Sequence, residues 1–255
     1  MTGAIGLSNS SMLSIQNLTY SFTGEKPIFQ KLTLDVQPGE FVSVIGASGS
    51  GKSTLFKLIT GLLEPSEGEI QIAQQNSKSR LGTVGYMPQK DLILPWKTVL
   101  ENVLLPLEVT KENKQRKIPE IRDWLARFGL AEYEKAYPKE LSGGMKQRVA
   151  FLRTMMTGKD LLLLDEPFGA LDSLTKRNMH RWLLGLWGEL QKTVLFITHD
   201  LEEAILLSDR IYLLKKEGIQ EIKVSLPRPR NSEIVYQTEF MAMRKELEWL
   251  IHHES

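Results

Sequence analysis

The sequence predicts an α/β fold with a mostly parallel core sheet, an N-terminal antiparallel β-layer and an inserted helical subdomain. Apolar runs at 41–45, 161–164 and 193–197 have the length and composition of buried strands. Alternating apolar and polar residues between positions 13 and 36 favour antiparallel strands before the first of these runs. The stretch 98–137 has a helical pattern without a strand, so we expect it to form the inserted subdomain.

The composition is that of an ordinary globular protein. The 255 residues are 42% hydrophobic and 25% charged, and a formal charge of +1 disfavours nucleic acid as the main partner. The absence of cysteine excludes disulfides, thiolate zinc sites and cysteine nucleophiles. No run approaches the roughly 18 apolar residues of a spanning helix, so we expect another chain to provide any membrane crossing. Residues 1–11 lack a signal-peptide pattern and are expected to form a flexible tail.

The first strands carry two aromatic residues that are candidates for nucleotide binding. Tyr20 and Phe22 are expected on the same side of a strand at 18–22, some two dozen residues before a glycine-rich loop. Either ring could stack on an adenine face. Ordinary core packing explains each of them equally well, so both stay open as candidates.

The stretch 41–54 runs from a strand through glycines into a helix and fits the pattern G-x-x-x-x-G-K-[ST]. Glycines let the backbone turn its N–H groups inward to bind an anion, and the helix from Lys52 to about Thr60 adds its positive end. Lys52 is expected to reach the β- and γ-phosphates, and Ser53 to hold Mg²⁺. The predicted phosphate loop comprises Gly46, Ala47, Ser48, Gly49, Ser50, Gly51, Lys52, Ser53 and Thr54.

Polar side chains follow three predicted strands at the point where each strand ends. Asp165 and Glu166 end one apolar run, where an open α/β sheet binds its ligand, so Asp165 is expected at the Mg²⁺ and Glu166 to polarise the attacking water. His199 is expected to hydrogen-bond the γ-phosphate and that water. Gln89 could ligate Mg²⁺ or hold the water, although a lone glutamine is usually a surface residue.

A second glycine cluster at 141–148 begins a predicted helix. Ser142 is a candidate N-cap, and the backbone N–H groups of Gly143 and Gly144 could meet a phosphate. A capped helix that binds no ligand would have the same pattern.

Two further helices are expected after the acidic strand end. Ser173 is predicted to cap the first, and Asp200 to form a capping box with Glu203 at the start of the second. The predicted buried face of the first helix contains Met179, Trp182, Leu183, Leu186 and Leu190.

The loop 91–96 is unusually apolar and precedes a capping box at Thr98 and Glu101. Exposed apolar loops often mark docking surfaces, and tryptophan is a frequent interface anchor, so we expect Trp96 to contact a partner. A loop buried in the core is the alternative. Prolines 106 and 119 are expected to break the helical stretch that follows.

Taken in order, these motifs resemble the ATP-binding subunit of an ABC transporter over essentially the whole chain. Phe22 falls where this family places an adenine-stacking aromatic residue, with Tyr20 as a second candidate. The matching motifs are the Walker A motif at 46–53, the Q-loop at Gln89, the signature at 141–147, Walker B at 161–165, the catalytic glutamate at Glu166, the D-loop at 169–172 and the switch histidine at His199.

Two positions depart from the family pattern. Met145 replaces the glutamine that usually ends the signature, and Gly169 replaces the serine that commonly opens the D-loop. Because the signature contacts phosphate mainly through its serine and backbone N–H groups, we expect Met145 to leave nucleotide binding intact.

The resemblance implies a P-loop NTPase fold, ATP and Mg²⁺ as cofactors, and head-to-tail pairing of two copies around two ATP molecules. Ser142, Gly143, Gly144 and Asp172 would complete the partner's site. Hydrolysis would drive transmembrane permease subunits through the Gln89 loop and the helical subdomain, and a solute-binding protein would act indirectly. The expected location is the cytoplasmic face of the cell membrane.

Within the family, residues 87–91, 94–99 and 102–103 are similar to ATPases of nitrate, sulfonate and taurine importers, and pyrimidine-precursor importers share them. Two other classes remain: a soluble non-transport ABC ATPase, which usually has a coiled-coil insertion or two cassettes, and a small-molecule kinase, which needs an acceptor pocket. The expected single ATPase domain at 12–255 has a core at 12–88 and 158–226, a helical subdomain with the Q-loop at 89–157, and a C-terminal helical tail at 227–255.

Overall fold

A computed structural model describes residues 11–73, 79–169, 171–190, 192–215 and 218–253, without the side chains of 186 and 188–190. Predictions for most of the flexible tail, for the D-loop residue Ala170 and for the packing of Leu186 and Leu190 therefore lie outside the described residues. No helix within these ranges is long and apolar enough to span a membrane.

Among the described residues, nine strands form two sheets, as the fold class predicts. A three-stranded antiparallel sheet has the order β2-β1-β4, and a six-stranded sheet has the order β5-β6-β7-β3-β8-β9, parallel except for β9. The α/β fold with a mostly parallel core sheet is thus confirmed. The strands are β1 (Leu13–Tyr20), β2 (Phe29–Val36), β3 (Phe41–Gly46), β4 (Glu67–Ile72), β5 (Gly85–Met87), β6 (Leu161–Asp165), β7 (Thr193–Ile197), β8 (Arg210–Lys215) and β9 (Gly218–Lys223).

In the part of the chain that the structure describes, seven α-helices cover the sheets. They are α1 (Lys52–Thr60), α2 (Val99–Val109), α3 (Lys114–Arg127), α4 (Gly143–Met155), α5 (Ser173–Leu190), α6 (Leu201–Leu207) and α7 (Thr238–His252). Helices α2, α3 and α4 lie in the predicted insertion, and no strand occurs between 88 and 157. The division of the chain into subdomains at particular residues stays a prediction.

The core sheet is buried on both faces, because successive side chains of a strand point to opposite sides. On β3, Phe41 and Ile45 belong to the hydrophobic cluster that contains residues of the helices α2 to α7, whereas Val42 and Val44 belong to the cluster that contains residues of α1 and the antiparallel sheet. Strands β6 and β7 alternate in the same way. Because β3, β7 and β6 are paired in parallel, their carboxyl ends lie side by side at one edge of the sheet.

Two local predictions are wrong. Pro106 and Pro119 lie inside α2 and α3, and the break falls between them at 110–113, where Lys111 has a φ of 57°. Each proline removes only one backbone hydrogen bond, while apolar residues such as Leu107 keep the helix packed. Strand β1 ends at Tyr20, so Phe22 does not share a strand face with it.

Candidate active site

The phosphate loop connects β3 to α1 through glycines that no other residue could replace without displacement. Gly46 has a φ of 156°, and a Cβ there would lie 2.6 Å from the carbonyl oxygen of Leu214 on the neighbouring strand. Gly51 has a φ of 94°, and its Cβ would lie 2.5 Å from Ile28 Cγ2. The backbone therefore approaches its surroundings too closely for a side chain, as an anion-binding loop requires.

Lys52 is buried beneath this loop with only 8% of its surface exposed. Its Nζ donates hydrogen bonds to the carbonyl oxygens of Gly46 at 3.0 Å and Ala47 at 2.9 Å. Burial lowers the pKa of Lys52, and the charges of Glu166 and Asp165 oppose that shift. The ammonium group is therefore held at the loop, where a bound phosphate would give it a stronger acceptor.

The hydroxyl of Ser50 provides a test of whether the loop fits a nucleotide. Its Oγ is buried and has no hydrogen-bond partner among the described residues. Buried polar groups in native proteins are nearly always paired, so an unpaired hydroxyl in an anion-binding loop fits a site that a phosphate oxygen completes.

Ser53 and Asp165 offer oxygen atoms of the kind that Mg²⁺ prefers. Ser53 Oγ donates to Asp165 Oδ1 at 3.4 Å, and Asp165 is only 3% exposed. Burial raises the pKa of Asp165, and burial with the nearby Asp165 carboxylate raises the pKa of Tyr86 to about 12. Mg²⁺ usually keeps several waters and binds through one or two carboxylates plus substrate phosphates, and the Ser53–Asp165 pair fits such a site.

Glu166 follows β6 and contacts polar side chains that follow the neighbouring strands β5 and β7. Its Oε2 accepts a hydrogen bond from Gln89 Nε2 at 3.0 Å and lies 3.3 Å from His199 Nδ1, and its backbone N–H donates to Ile197 at 2.9 Å. Its φ of 46° is uncommon for a residue with a side chain and costs about 1–3 kcal/mol. The sheet therefore holds this carboxylate in a strained position, between two polar side chains that can orient a water.

An open cleft of about 740 Å³ lies above the phosphate loop. Ile28 also lines it, and no sequence signal marked that residue. The predicted site residues that line this cleft are Phe22, Gly46, Ser48, Gly49, Gly51, Lys52, Ser53, Thr54, Gln89, Glu166 and His199.

The two aromatic candidates differ in position. Phe22 is 40% exposed at the cleft, whereas Tyr20 is only 8% exposed and packs in the core. Their ring centroids are 5.3 Å apart in an edge-to-face arrangement, so Tyr20 packs against Phe22 from the core side.

The second glycine cluster does not line the cleft of its own chain. Ser142 is exposed and caps α4 by accepting a hydrogen bond from the Met145 N–H at 3.3 Å. A Cβ on Gly143 would meet no atom within 4 Å, so this helix start is open to solvent.

Asp172 is also exposed and away from the cleft. It caps α5, accepting hydrogen bonds from the N–H groups of Leu174 at 3.1 Å and Thr175 at 3.0 Å. The cap predicted at Ser173 is therefore wrong by one residue, because the longer aspartate side chain reaches both N–H groups. Hydrogen bonds from Thr175 hold the pKa of Asp172 below its usual value.

The predicted capping box at α6 is only half formed. Asp200 accepts hydrogen bonds from the N–H groups of Glu202 at 2.9 Å and Glu203 at 3.3 Å. Glu203 does not return to the backbone but lies buried against α5, where Lys176 and His180 contact it. Lys176 and His180 are four residues apart, so they lie on one helix face. This spacing is the sequence feature that could have predicted their shared contact with Glu203.

Comparison with known proteins gives consistent matches. The family described as ABC transporter matches residues 29–169. The formylaminopyrimidine import ATP-binding protein ThiZ of Halalkalibacterium halodurans is 43% identical, over 96% of this chain and 98% of the relative. The aliphatic sulfonates import ATP-binding protein SsuB of Bacillus cereus is 40% identical, over 83% of this chain and 85% of the relative.

Solved structures give the same result. The dimeric structure of a bacterial ABC transporter cassette matches with a TM-score of 0.72 and 33% identity, covering 85% of this chain and 100% of the other. The same cassette, solved in a post-hydrolysis state bound to ADP and Pi, matches with a TM-score of 0.72 and 32% identity over the same shares.

Proposed function

This chain belongs to the ABC transporter family as an ATP-binding ATPase of the kind that serves import systems, and we propose that two copies pair head to tail around two ATP molecules to drive a separate permease. One observation carries the proposal: Gln89, Glu166 and His199 converge above a loop that holds a buried lysine. That arrangement supports water attack on a terminal phosphate.

The chain's own residues would supply most of the chemistry. Lys52 and the loop N–H groups would bind the phosphates, and Glu166 would accept a proton from a water that Gln89 and His199 orient. Ser53 and Asp165 would hold Mg²⁺, which neutralises phosphate charge when bound. Ser142, Gly143 and Asp172 are exposed and, with the adjacent Gly144, would contact the ATP of the second copy, since none of them lines the cleft of its own chain.

The loop 91–96 is the proposed contact with the permease. Trp96 is 70% exposed, yet the backbone beneath it is fixed by Asn102, which is fully buried. Asn102 accepts a hydrogen bond from the Leu94 N–H at 2.7 Å and donates to the carbonyls of Leu94 and Lys97 at 3.1 and 3.0 Å. An ordered loop with an exposed indole favours a protein partner over a solvated surface.

Helix α4 supports the same loop from the other side. Arg153 donates to the carbonyl oxygens of Leu92 at 2.8 Å and Asp91 at 2.6 Å. Because α4 begins at Ser142, one helix joins the proposed permease contact to the proposed contact with the partner's ATP. This connection supports coupled transport over the soluble non-transport ATPase.

The transported solute is proposed by analogy alone. The two relatives are named for formylaminopyrimidine and aliphatic sulfonates, so we propose a small solute of this kind, or a nitrate- or taurine-like one. A solute-binding protein and the permease would select it, and this chain would lie on the cytoplasmic side of the membrane.

ATP turnover by the purified chain tests the proposal. Lys52→Ala removes the buried ammonium group, and we expect hydrolysis to fall by about 100-fold or more. Lys245→Ala, an exposed lysine on α7, is the matched control and should retain the natural rate. Equal rates for Lys52→Ala and the natural chain would overturn the proposed site.

Co-purification with the permease subunits of an import system tests the docking loop. Trp96→Ala is expected to weaken the association at least tenfold, the size of an interface anchor, with nucleotide binding retained. Trp249→Ala on α7 is the matched control, because Trp249 is also an exposed tryptophan, with 57% of its surface accessible. Unchanged co-purification of Trp96→Ala would exclude the loop as the contact.

A further inference from the structure

We propose that Lys176 on α5 is a positioning residue for hydrolysis, which fixes the loop carrying His199 and connects it to the second glycine cluster. This inference rests on the proposed ATPase site. It concerns a partly buried polar cluster of five residues where α5 meets the start of α6: Lys176, His180, Thr198, Asp200 and Glu203.

Glu203 is the centre of this cluster, and its side chain is only 3% exposed. Its Oε1 lies 2.8 Å from Lys176 Nζ and 3.1 Å from His180 Nε2, and its Oε2 accepts a hydrogen bond from Thr198 Oγ1. Lys176 Nζ also lies 2.8 Å from Asp200 Oδ2. One lysine therefore bridges two carboxylates at the start of α6.

A buried ion pair of this kind is weak evidence for stability. The cost of removing two charges from water largely offsets their attraction, and apolar residues of similar size often serve a core as well or better. Although burial alone would lower it, the hydrogen bonds that Lys176 donates to Asp200 and Glu203 raise the pKa of Lys176, so the bridge stays charged. The better explanation for such a cluster is that it fixes geometry.

The geometry that it fixes is the loop on both sides of His199. Thr198 donates to Glu203, and the Asp200 N–H donates to Thr198 Oγ1 at 3.0 Å. The His199 side chain is 61% exposed, and among the described contacts its only polar partner is Glu166 at 3.3 Å. Its position therefore depends on its two neighbours in sequence, which the cluster holds.

Helix α5 extends the connection to the second glycine cluster. Thr175, the residue before Lys176, packs against Gly144 so closely that a Cβ on Gly144 would lie 2.7 Å from Thr175 Cγ2. One helix thus touches the histidine loop through Lys176 and the start of α4 through Thr175. A shift of α5 on ATP binding would move both.

Steady-state ATP hydrolysis by Lys176→Met tests the positioning role. We expect kcat to fall about 10- to 100-fold, as misplaced catalytic groups do, with KM for ATP within about twofold of the natural value. Lys176→Arg should recover most of the rate. Lys192→Met is the matched control. Lys192 Nζ lies 2.6 Å from Oδ1 of the exposed Asp160, and neither residue lines the cleft, so this variant should hydrolyse ATP at the natural rate.

A second variant separates positioning from stability. Lys176→Met leaves the buried Glu203 without its lysine, with only the polar contacts of His180 and Thr198 among the described residues, so it also destabilises the fold. Lys176→Met with Glu203→Met removes both charges and should restore the melting temperature. We expect kcat to stay low in this double variant. Recovery of kcat together with the melting temperature would overturn the positioning role.

Hydrogen exchange without ATP separates failure of this inference from failure of the proposed function. In the double variant, the backbone N–H groups at 198–203 should exchange at least tenfold faster than in the natural chain. Unchanged exchange would overturn the inference even if the natural chain hydrolyses ATP. Faster exchange in a chain that does not hydrolyse ATP would show that the cluster holds the histidine loop, whereas the ATPase proposal, and with it the role of Lys176 in hydrolysis, would fail.

Discussion

Two glycine clusters in this chain each begin a helix, but only one is surrounded by catalytic side chains. The phosphate loop lies beside Lys52, Asp165, Glu166 and His199 of its own chain. The second glycine cluster has an exposed serine and open backbone at its start. Under the proposed function, the first cluster would bind ATP and activate the attacking water, whereas the second would only bind the ATP of the partner.

The two regions also differ in strain. Around the phosphate loop, Glu166 has a left-handed backbone, burial raises the pKa of Asp165, and Ser50 has an unpaired hydroxyl. At the second cluster, Ser142 forms an ordinary helix cap with no unusual dihedral. Backbone strain at Glu166 points to a functional role there. The second cluster, where Gln147 Oε1 is also buried without a partner among the described residues, would gain its role against another surface. Head-to-tail pairing would supply that surface.

Glu166→Gln tests the catalytic side of the comparison and has the largest expected effect. The amide cannot accept a proton from water, so hydrolysis should fall by about 10²- to 10⁴-fold. ATP binding should persist and a dimer should accumulate, as measured by equilibrium binding and light scattering. Glu69→Gln, on the exposed side of β4, should behave as the natural chain. A monomer that hydrolyses ATP at the natural rate would exclude Glu166 as the base.

Mixing two inactive variants tests whether the two clusters complete one site from different chains. Ser142→Arg should fold, because this side chain is exposed, but should block a neighbouring ATP and lower the rate about 10- to 100-fold. Mixed with Lys52→Ala, half of the dimers would contain one intact site. The mixture should regain up to roughly a quarter of the natural rate. No regain beyond the sum of the separate variants would contradict head-to-tail pairing.

Asp165→Asn tests the strain itself, with an expected effect of about 1 kcal/mol on unfolding. The folded pKa of Asp165 is raised, so the contribution of this group to stability is present at low pH and lost as pH rises through the folded pKa. The variant should melt higher than the natural chain at pH 7, and the difference should shrink as pH falls. Mg-ATP should stabilise the variant less. Asp160→Asn, at an exposed aspartate, should show neither change.

Features set by neighbouring residues were predictable from the sequence. The phosphate loop, the buried strands and the caps at Ser142 and Asp200 each depend on a short pattern, and they lie where the pattern put them. The polar strand ends could be placed together because parallel strands share one carboxyl edge.

Features set by contacts between distant segments were not predictable. Glu203 looked like a capping residue, and only the packing of α6 on α5 turns it toward Lys176. The continuation of two helices through prolines depends on apolar contacts that compensate one lost hydrogen bond each. Which of Phe22 and Tyr20 faces the cleft depends on where β1 ends, and the alternation of apolar and polar residues does not determine that end.

Phe22→Ala tests the outer end of the cleft and has the smallest expected effect. If the ring stacks on adenine, its loss should weaken ATP binding by about 1 kcal/mol, or roughly fivefold, since stacking on a single ring contributes about 1–3 kcal/mol. Binding of inorganic tripolyphosphate should not change, because that ligand has no base. Tyr236→Ala, an aromatic residue that is 70% exposed elsewhere, is the control. Equal losses for ATP and tripolyphosphate would show that Phe22 shapes the phosphate loop instead of contacting the base.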